Sequence, residues 1–543
     1  MPHRPAVGRS ARFARAAVLA ALVLVAGCSS FVAGAREQSV RTHRPGAQLT
    51  VVADAGPSAA AIGVSRALFA GSDVAVVARD DDRAATLLGA AAAVGLGVPL
   101  LVGDDSAVAQ EADRLGVRRV LTVGKKTHLR ISSLTVPAVP QAVASVTGLR
   151  FADADPVEDD AAVRAVAALD PQKPAALRPV HIPPASTAAP HERLVPVHRP
   201  QPLDDVVVLA SGSPESLAGV ATARAAGARV VVTGGTDPRA SADAVQALGS
   251  ARSVVALGAD FAGAPDLGWE VDTARTGTQL PGGGQTLFPG RMLVALYGTP
   301  GSAALGVLGE QDLDAGIQRA RTTAAAYDDL VDRPVVPAFE IIATIATGHP
   351  GDDGNYSAES DPEALRPWVE KARDAGIYVV LDLQPGRADF LTQAQRYESL
   401  LEEPNVGLAL DPEWRLGPSQ LPLQEIGSVG VDEVNAVSTW LADLTREHRL
   451  PQKLFVVHQF RTGMIDGRER LDTSRPELAV TIHADGQGAP GDKQATWQRV
   501  HENLPPGPLH WGWKNFYDED HPMLSPQQTI DQVDPDPDLV TYQ

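Results

Sequence analysis

Two stretches of this chain, VAVVARDDDRAATLLGAAAAVGLGVPLLVG from Val74 and VVVLASGSPESLAGVATARAAGARVVVTGG from Val206, repeat one order of residue types. Each sets a short apolar run before an alanine-rich segment, then adds a second apolar run closed by glycine. Short runs without polar alternation fit strands buried on both faces, and the alanine-rich segments fit helices. The pattern is that of an α/β layer fold. The first copy continues with a helix at 106–115 and a strand at 120–123, the second with a helix at 240–248 and a strand at 254–257. Gly124 and Gly258 follow those last strands. Units of this kind bury what their neighbours expose, so they are expected to stack.

From Met292 the alternation resumes with longer loops. Strands are predicted at 292–297, 335–345, 377–383, 406–410, 454–458, 479–483 and 509–513, with helices between most of them. That order predicts a TIM-like (β/α) barrel of seven to eight strands over 288–543 with one irregular unit, an open doubly wound sheet being the alternative. Residues 151–203 are proline-rich and read as an exposed connector between a first α/β repeat at 49–150 and a second at 204–275. Pro281-Gly282-Gly283-Gly284 marks the main boundary.

The repeat carries a resemblance. The strand, alanine-rich helix, Gly-x-Pro-Leu-Leu-Val strand, helix and Val-Leu-Thr-Val-Gly strand resemble the cell-wall-binding repeat of Gram-positive surface proteins, over about 49–262. AAIGVSRALF at 60–69 resembles the helix that opens such a unit. The resemblance implies affinity for cell-wall or extracellular polysaccharide. A doubly wound domain without that affinity is the other reading, because fold alone does not assign function.

The N-terminus is read separately. Arg4, Arg9, Arg12 and Arg15 precede an apolar run at 16–26, which is shorter than the ~20 residues a spanning helix needs. Val25-Ala26-Gly27-Cys28 follows, and Cys28 is the one cysteine in 543 residues. Basic, apolar and small-residue regions in that order read as an export signal, 1–27, removed on maturation. The motif resembles the lipobox of bacterial lipoproteins. The resemblance implies diacylglycerol on the Cys28 thiol, a palmitate-type acyl chain, a tether at 28–48 and attachment to the extracellular face of the cell membrane. A net charge of −19 argues against nucleic acid as a partner.

Polar and aromatic residues collect at the C-terminal ends of the barrel strands, where barrel enzymes place their chemistry. They are Tyr297, Glu340, Asp382, Asp411, Glu413, His458, His483, Asp485, Trp511, Trp513, Lys514 and Tyr517. Residues i and i+2 on a strand share a side, so Asp411 and Glu413 are expected in one site. Paired carboxylates suit glycoside cleavage, one protonated and one charged. Glu413 is the candidate acid, Asp411 its partner and Asp382 a positioning group. Tyr297, Glu340, His458, His483, Asp485, Trp511, Trp513, Lys514 and Tyr517 are candidates for substrate contact. GLALDPEW resembles the fourth-strand motif of chitinase- and lysozyme-type barrel glycosidases, departing from it at Ala409 and Pro412. A loop-starting Asp-Pro with an N-capping or salt-bridging glutamate is the plainer reading of the pair. His458, His483 and Asp485 also have metal-ligand chemistry, which would suit a metal-dependent esterase or deacetylase; no cofactor is otherwise expected. A non-catalytic wall-binding or structural lipoprotein is the remaining alternative.

Overall fold

The computed structural model describes residues 38–53, 55–103, 105–181 and 192–543. The signal segment, the lipidation candidate Cys28 and Pro183, Pro184 and Pro190 of the connector lie outside them. Among the described residues no helix is long and apolar enough to cross a membrane.

The two repeats form two parallel four-stranded sheets. In the first, Val74–Ala78 lies between Leu100–Val102 and Arg119–Val123, with Ser132–Val136 at the edge. In the second, Val206–Ala210 lies between Arg229–Val232 and Ser253–Leu257. The edge place that Ser132–Val136 takes in the first sheet is filled in the second by Leu49–Val52, from the start of the chain. Local chemistry sets the helix ends: the Asp82 side chain accepts from Ala85 N, and Gly97 closes the helix Arg83–Leu96 in the left-handed conformation at φ 72°. Such a cap contributes about 1 kcal/mol. Small residues let the helices Pro57–Leu68, Arg83–Leu96 and Leu217–Ala225 pack closely. A Cβ on Gly219 would stand 3.2 Å from Ala60 O. The Thr222 hydroxyl joins the repeats, donating to Leu100 O at 3.0 Å and accepting from Leu100 N at 3.1 Å.

Two stretches read as irregular contain structure. Gln38–Thr42, inside the stretch read as a tether, is a strand between Phe69–Ser72 and Val197–His198. The connector includes the helix Ala162–Ala167.

The C-terminal part is a closed barrel of eight parallel strands: β1 Met292–Gly298, β2 Val335–Ala346, β3 Tyr378–Leu383, β4 Val406–Leu410, β5 Lys453–Gln459, β6 Leu478–Ala484, β7 His510–Asn515 and β8 Leu539–Tyr542. β8 lies outside the seven predicted strands. It pairs with β7 and with β1, Leu293 opposite Leu539, and so closes the ring. The irregular unit falls between β5 and β6, where short turns at Thr462–Met464 and Arg468–Arg470 replace a helix.

The repeats meet the barrel at Trp269, whose indole N–H donates to Arg446 O and whose ring lies against the guanidinium groups of Arg239 and Arg446 at 4.4 and 4.5 Å. Glu270 beside it is buried, 3.8 Å from Arg239 Nη2. Burial first, then the charge of Asp237, pushes Glu270 up to about 7. A carboxyl raised in the folded state contributes stability that is present below its unfolded pKa and lost as pH rises through 7. Glu270→Gln is therefore expected to stabilise the protein at pH 8 by about 1–3 kcal/mol and to leave it unchanged at pH 4.5. Thermal melts at the two pH values check this; an equal shift at both would contradict it.

Candidate active site

Alternation along each strand decides what enters the barrel. On β5 and β6, His458 and His483 stand opposite each other, and on β7 Gly512 is the partner of His483. A Cβ at Gly512 would lie 2.1 Å from His483 Cδ2, so this position admits only glycine while His483 keeps its place.

The interior holds a connected polar network. The His458 Nε2 lies 2.8 Å from Glu340 Oε1 on β2. Its Nδ1 lies 3.2 Å from Asp485 Oδ2, just after β6, and 3.0 Å from His483 Nδ1. His483 Nε2 lies 3.1 Å from Thr541 Oγ1 on β8. The network assigns the tautomers. His458 donates from both nitrogens and is an imidazolium, while His483 accepts from His458 and donates to Thr541. Burial pulls the His458 pKa down, but Glu340 and Asp485 outweigh it and hold it well above the ordinary histidine range. Burial and the neighbouring His458 charge depress His483 to about 3, keeping it neutral.

Nearer the rim, Tyr297 on β1 donates to Asp382 Oδ2 on β3 at 2.9 Å, and Gln384 Nε2 lies 3.4 Å from the Tyr297 hydroxyl. Lys514 on β7 sits over the Tyr297 ring at 3.7 Å, and its Nζ is 3.1 Å from Asp485 Oδ1, a charge pair without hydrogen-bond alignment. Burial and the Glu340 charge lift Asp382 to about 6, against the opposing pull of His458.

The sequence DPEW leaves the sheet at once. β4 ends at Leu410, and Pro412–Trp414 is a single 3₁₀ turn. Asp411 and Glu413 therefore share the site through a turn, not through strand alternation. Gly427 N donates to Glu413 O at 2.6 Å, which ties the following loop back onto the turn. The Asp-Pro does start a loop, but Asp411 makes no capping hydrogen bond and, among the described residues, neither acid has an ion pair. Asp411, Glu413 and Asp485 present oxygens within 4.8 Å of one another. Burial, then the Asp485 charge, raises Glu413 to about 7. Burial and Glu413 push Asp411 well above the carboxylate range. Burial would raise Asp485 too, but Lys514 and His458 hold it below that range.

These groups line a cleft of about 550 Å³ with Tyr297, Gln384, Trp414, Leu423, Phe460 and Phe516, a size suited to a small ligand or a short oligomer. A larger cleft of about 1130 Å³ lies in the N-terminal half over Leu88, Ala138, Leu149, Phe151 and Leu177. Its charged lining residues, Arg150, Asp153, Asp155 and Arg178, are all exposed. Catalysis needs reacting groups held in fixed positions, so chemistry favours the smaller cleft although volume favours the larger.

Three expected contact residues fall elsewhere. Gly512 and Lys514 face inward, so by alternation Trp511 and Trp513 face outward. Both pack in the helix layer near Trp497, with Trp511 stacked on His501 at 3.5 Å. Tyr517 is 40% exposed and packs beside Tyr542, outside the cleft lining. Glu340, His458 and His483 are brought together but fully buried below the cleft, where they act on it through Asp485. Thr541, Gly512 and Phe460 belong to the network or the cleft and were not singled out by the sequence. Glycine between two tryptophans in HWGWK was the signal for Gly512.

A closed parallel barrel with a carboxylate-rich cleft at its C-terminal rim is thus the class of protein that fold and site define. Comparison with protein-family models and with curated proteins returns no match. Among solved structures, Cwp6 from Clostridium difficile is similar at 10% identity and a TM-score of 0.29, over 76% of this chain. The match spans 63% of that protein's length.

Proposed function

We propose that the barrel hydrolyses glycosidic bonds in envelope or wall polysaccharide, with Glu413 as general acid and Asp485 as its charged partner. One observation carries the reading: two carboxylates of a single cleft, following β4 and β6, lie close together while their surroundings favour opposite protonation states. That split is how one site supplies both acid and anion at neutral pH. Asp485 replaces Asp411 in the charged role, because Asp485 is paired with Lys514 and His458 whereas Asp411, among the described residues, has no ion pair. Asp382, positioned by Tyr297, lies behind the pair. The repeats are proposed to hold the wall polymer and Cys28 the membrane, on its extracellular face.

The test is incubation of the full chain with purified wall polysaccharides, reading reducing ends and bound polymer together. Release supports hydrolysis, and binding without release supports the non-catalytic lipoprotein. Loss of the chain from the membrane fraction in Cys28→Ala tests the anchor.

A second reading has its own observation. Glu340, His458 and His483 each offer a ligand atom within 4.8 Å of the others, the donor set of a metal-dependent esterase or deacetylase. Under the glycosidase reading a chelator leaves the rate unchanged. Loss of activity with EDTA and its return with zinc or manganese would favour the metal reading.

A further inference from the structure

We propose that the sugar held in the cleft carries a free amino group, so that the substrate is a glycan of de-N-acetylated amino sugars, and that Asp411 receives the ammonium. The inference rests on the hydrolase reading and names its substrate class.

The cleft lining contains three carboxylates, Asp411, Glu413 and Asp485, and a single cationic side chain, Lys514. Lys514 is taken up by Asp485 at 3.1 Å, and Asp485 is held on its other oxygen by His458 at 3.2 Å. The acids left without an ion pair therefore sit on the β4 side, at Asp411 and Glu413, where burial keeps them protonated until a cation arrives. Asp411 is only 2% exposed, yet it lines the cleft, and its Oδ1 has no hydrogen-bond partner. A buried acceptor without a partner is costly and calls for a donor from the ligand. A hydroxyl would supply a hydrogen bond but no charge. An ammonium supplies both: Asp411 gives up its proton to solvent and pairs with the cation, and such pairing is strongest in a partly dry site. Trp414, beside Glu413 in the lining, adds an aromatic surface of the kind that favours cations.

A divalent cation is the competing occupant, since the same three acids are close enough to ligate one. Asp485, however, is already neutralised from both sides, and Lys514 would face the metal as a like charge. The arrangement suits a single organic cation better.

Free amine also orients the substrate. With the ammonium on Asp411, the ring lies between Glu413 and Asp485, which present oxygens within 4.8 Å of each other. An N-acetyl group would bring a neutral amide and added bulk to the same point and leave Asp411 uncompensated.

Titration calorimetry of the full chain with glucosamine and galactosamine, against their N-acetyl forms, tests this without assuming a linkage. The amines are expected to bind at least tenfold more tightly, and Asp411→Asn to abolish the difference. Should Asp411→Asn fail to fold, partially acetylated chitosans give a second measure: affinity for the wild-type chain should rise with free-amine content. Equal or tighter binding of the N-acetyl forms, or no binding of either form, overturns the assignment. So does tight binding of calcium or magnesium that excludes the amines. Preference for amines without reducing-end release from any wall polymer would instead remove the hydrolase reading and leave the amine site standing.

Discussion

Glu413→Gln is expected to lower kcat on the cleaved polysaccharide by about 10²–10⁴-fold, the usual contribution of a positioned general acid. Glutamine keeps the shape and removes the proton. The thermal midpoint should not fall, because among the described residues Glu413 makes no ion pair whose loss would leave a buried charge alone. Above pH 7 it should rise, as for Glu270→Gln, because burial disfavours the charged form. The pH dependence follows from the same environment. The acid form of Glu413 is lost as pH rises through about 7, so the rate should fall tenfold per unit above neutrality. Lys514 and His458 keep Asp485 charged below the ordinary range, so the acidic limb should appear only below about pH 4. In the glutamine variant the alkaline limb should vanish from whatever rate remains. A wild-type rate that stays flat from pH 6 to 9 would contradict the assignment.

The second large effect is structural. Gly512→Ala puts a methyl group 2.1 Å from His483 Cδ2, at the centre of a closed ring where neither strand can withdraw. His483 must turn out of its place, breaking its contacts with Thr541 and with His458. Overpacking costs about 1–3 kcal/mol, and a buried polar group left without its partner about 1–3 more. A loss of several kcal/mol by denaturant titration is expected. Activity should fall as well, because the His458 imidazolium that holds Asp485 charged is oriented by the same network. A variant as stable as the parent would show that the histidine is free to move.

How much of this was legible beforehand varies along the chain. Periodicity and small-residue content located the paired repeats and seven barrel strands, because buried parallel strands are short apolar runs whatever surrounds them. β8 was hidden: LVTY is four residues long and follows Asp-Pro-Asp-Pro-Asp, so local pattern gives little weight to a strand that tertiary closure demands. The strand Gln38–Thr42 was hidden in the same way, since its partners lie far along the sequence. The site was legible as a set of strand ends but not as a network. Asp411 and Glu413 were placed together for the wrong local reason, since the chain turns at Pro412. Trp511 and Trp513 were misassigned because inward and outward faces of β7 depend on register, and only Gly512 against His483 sets that register. Nor could composition show that Asp485, at another strand end, would meet both Lys514 and His458 and so become the charged member of the pair.

The most direct measurement is the configuration of the first-formed product, followed by proton NMR as the full chain cleaves wall polysaccharide. Glu413 and Asp485 present oxygens within 4.8 Å of each other, nearer the ~5 Å spacing of retaining enzymes than the ~6.5–9.5 Å that admits a water between the two groups. Retention at the anomeric carbon is expected. An inverted product, or no product at all, would contradict the pairing of Glu413 with Asp485.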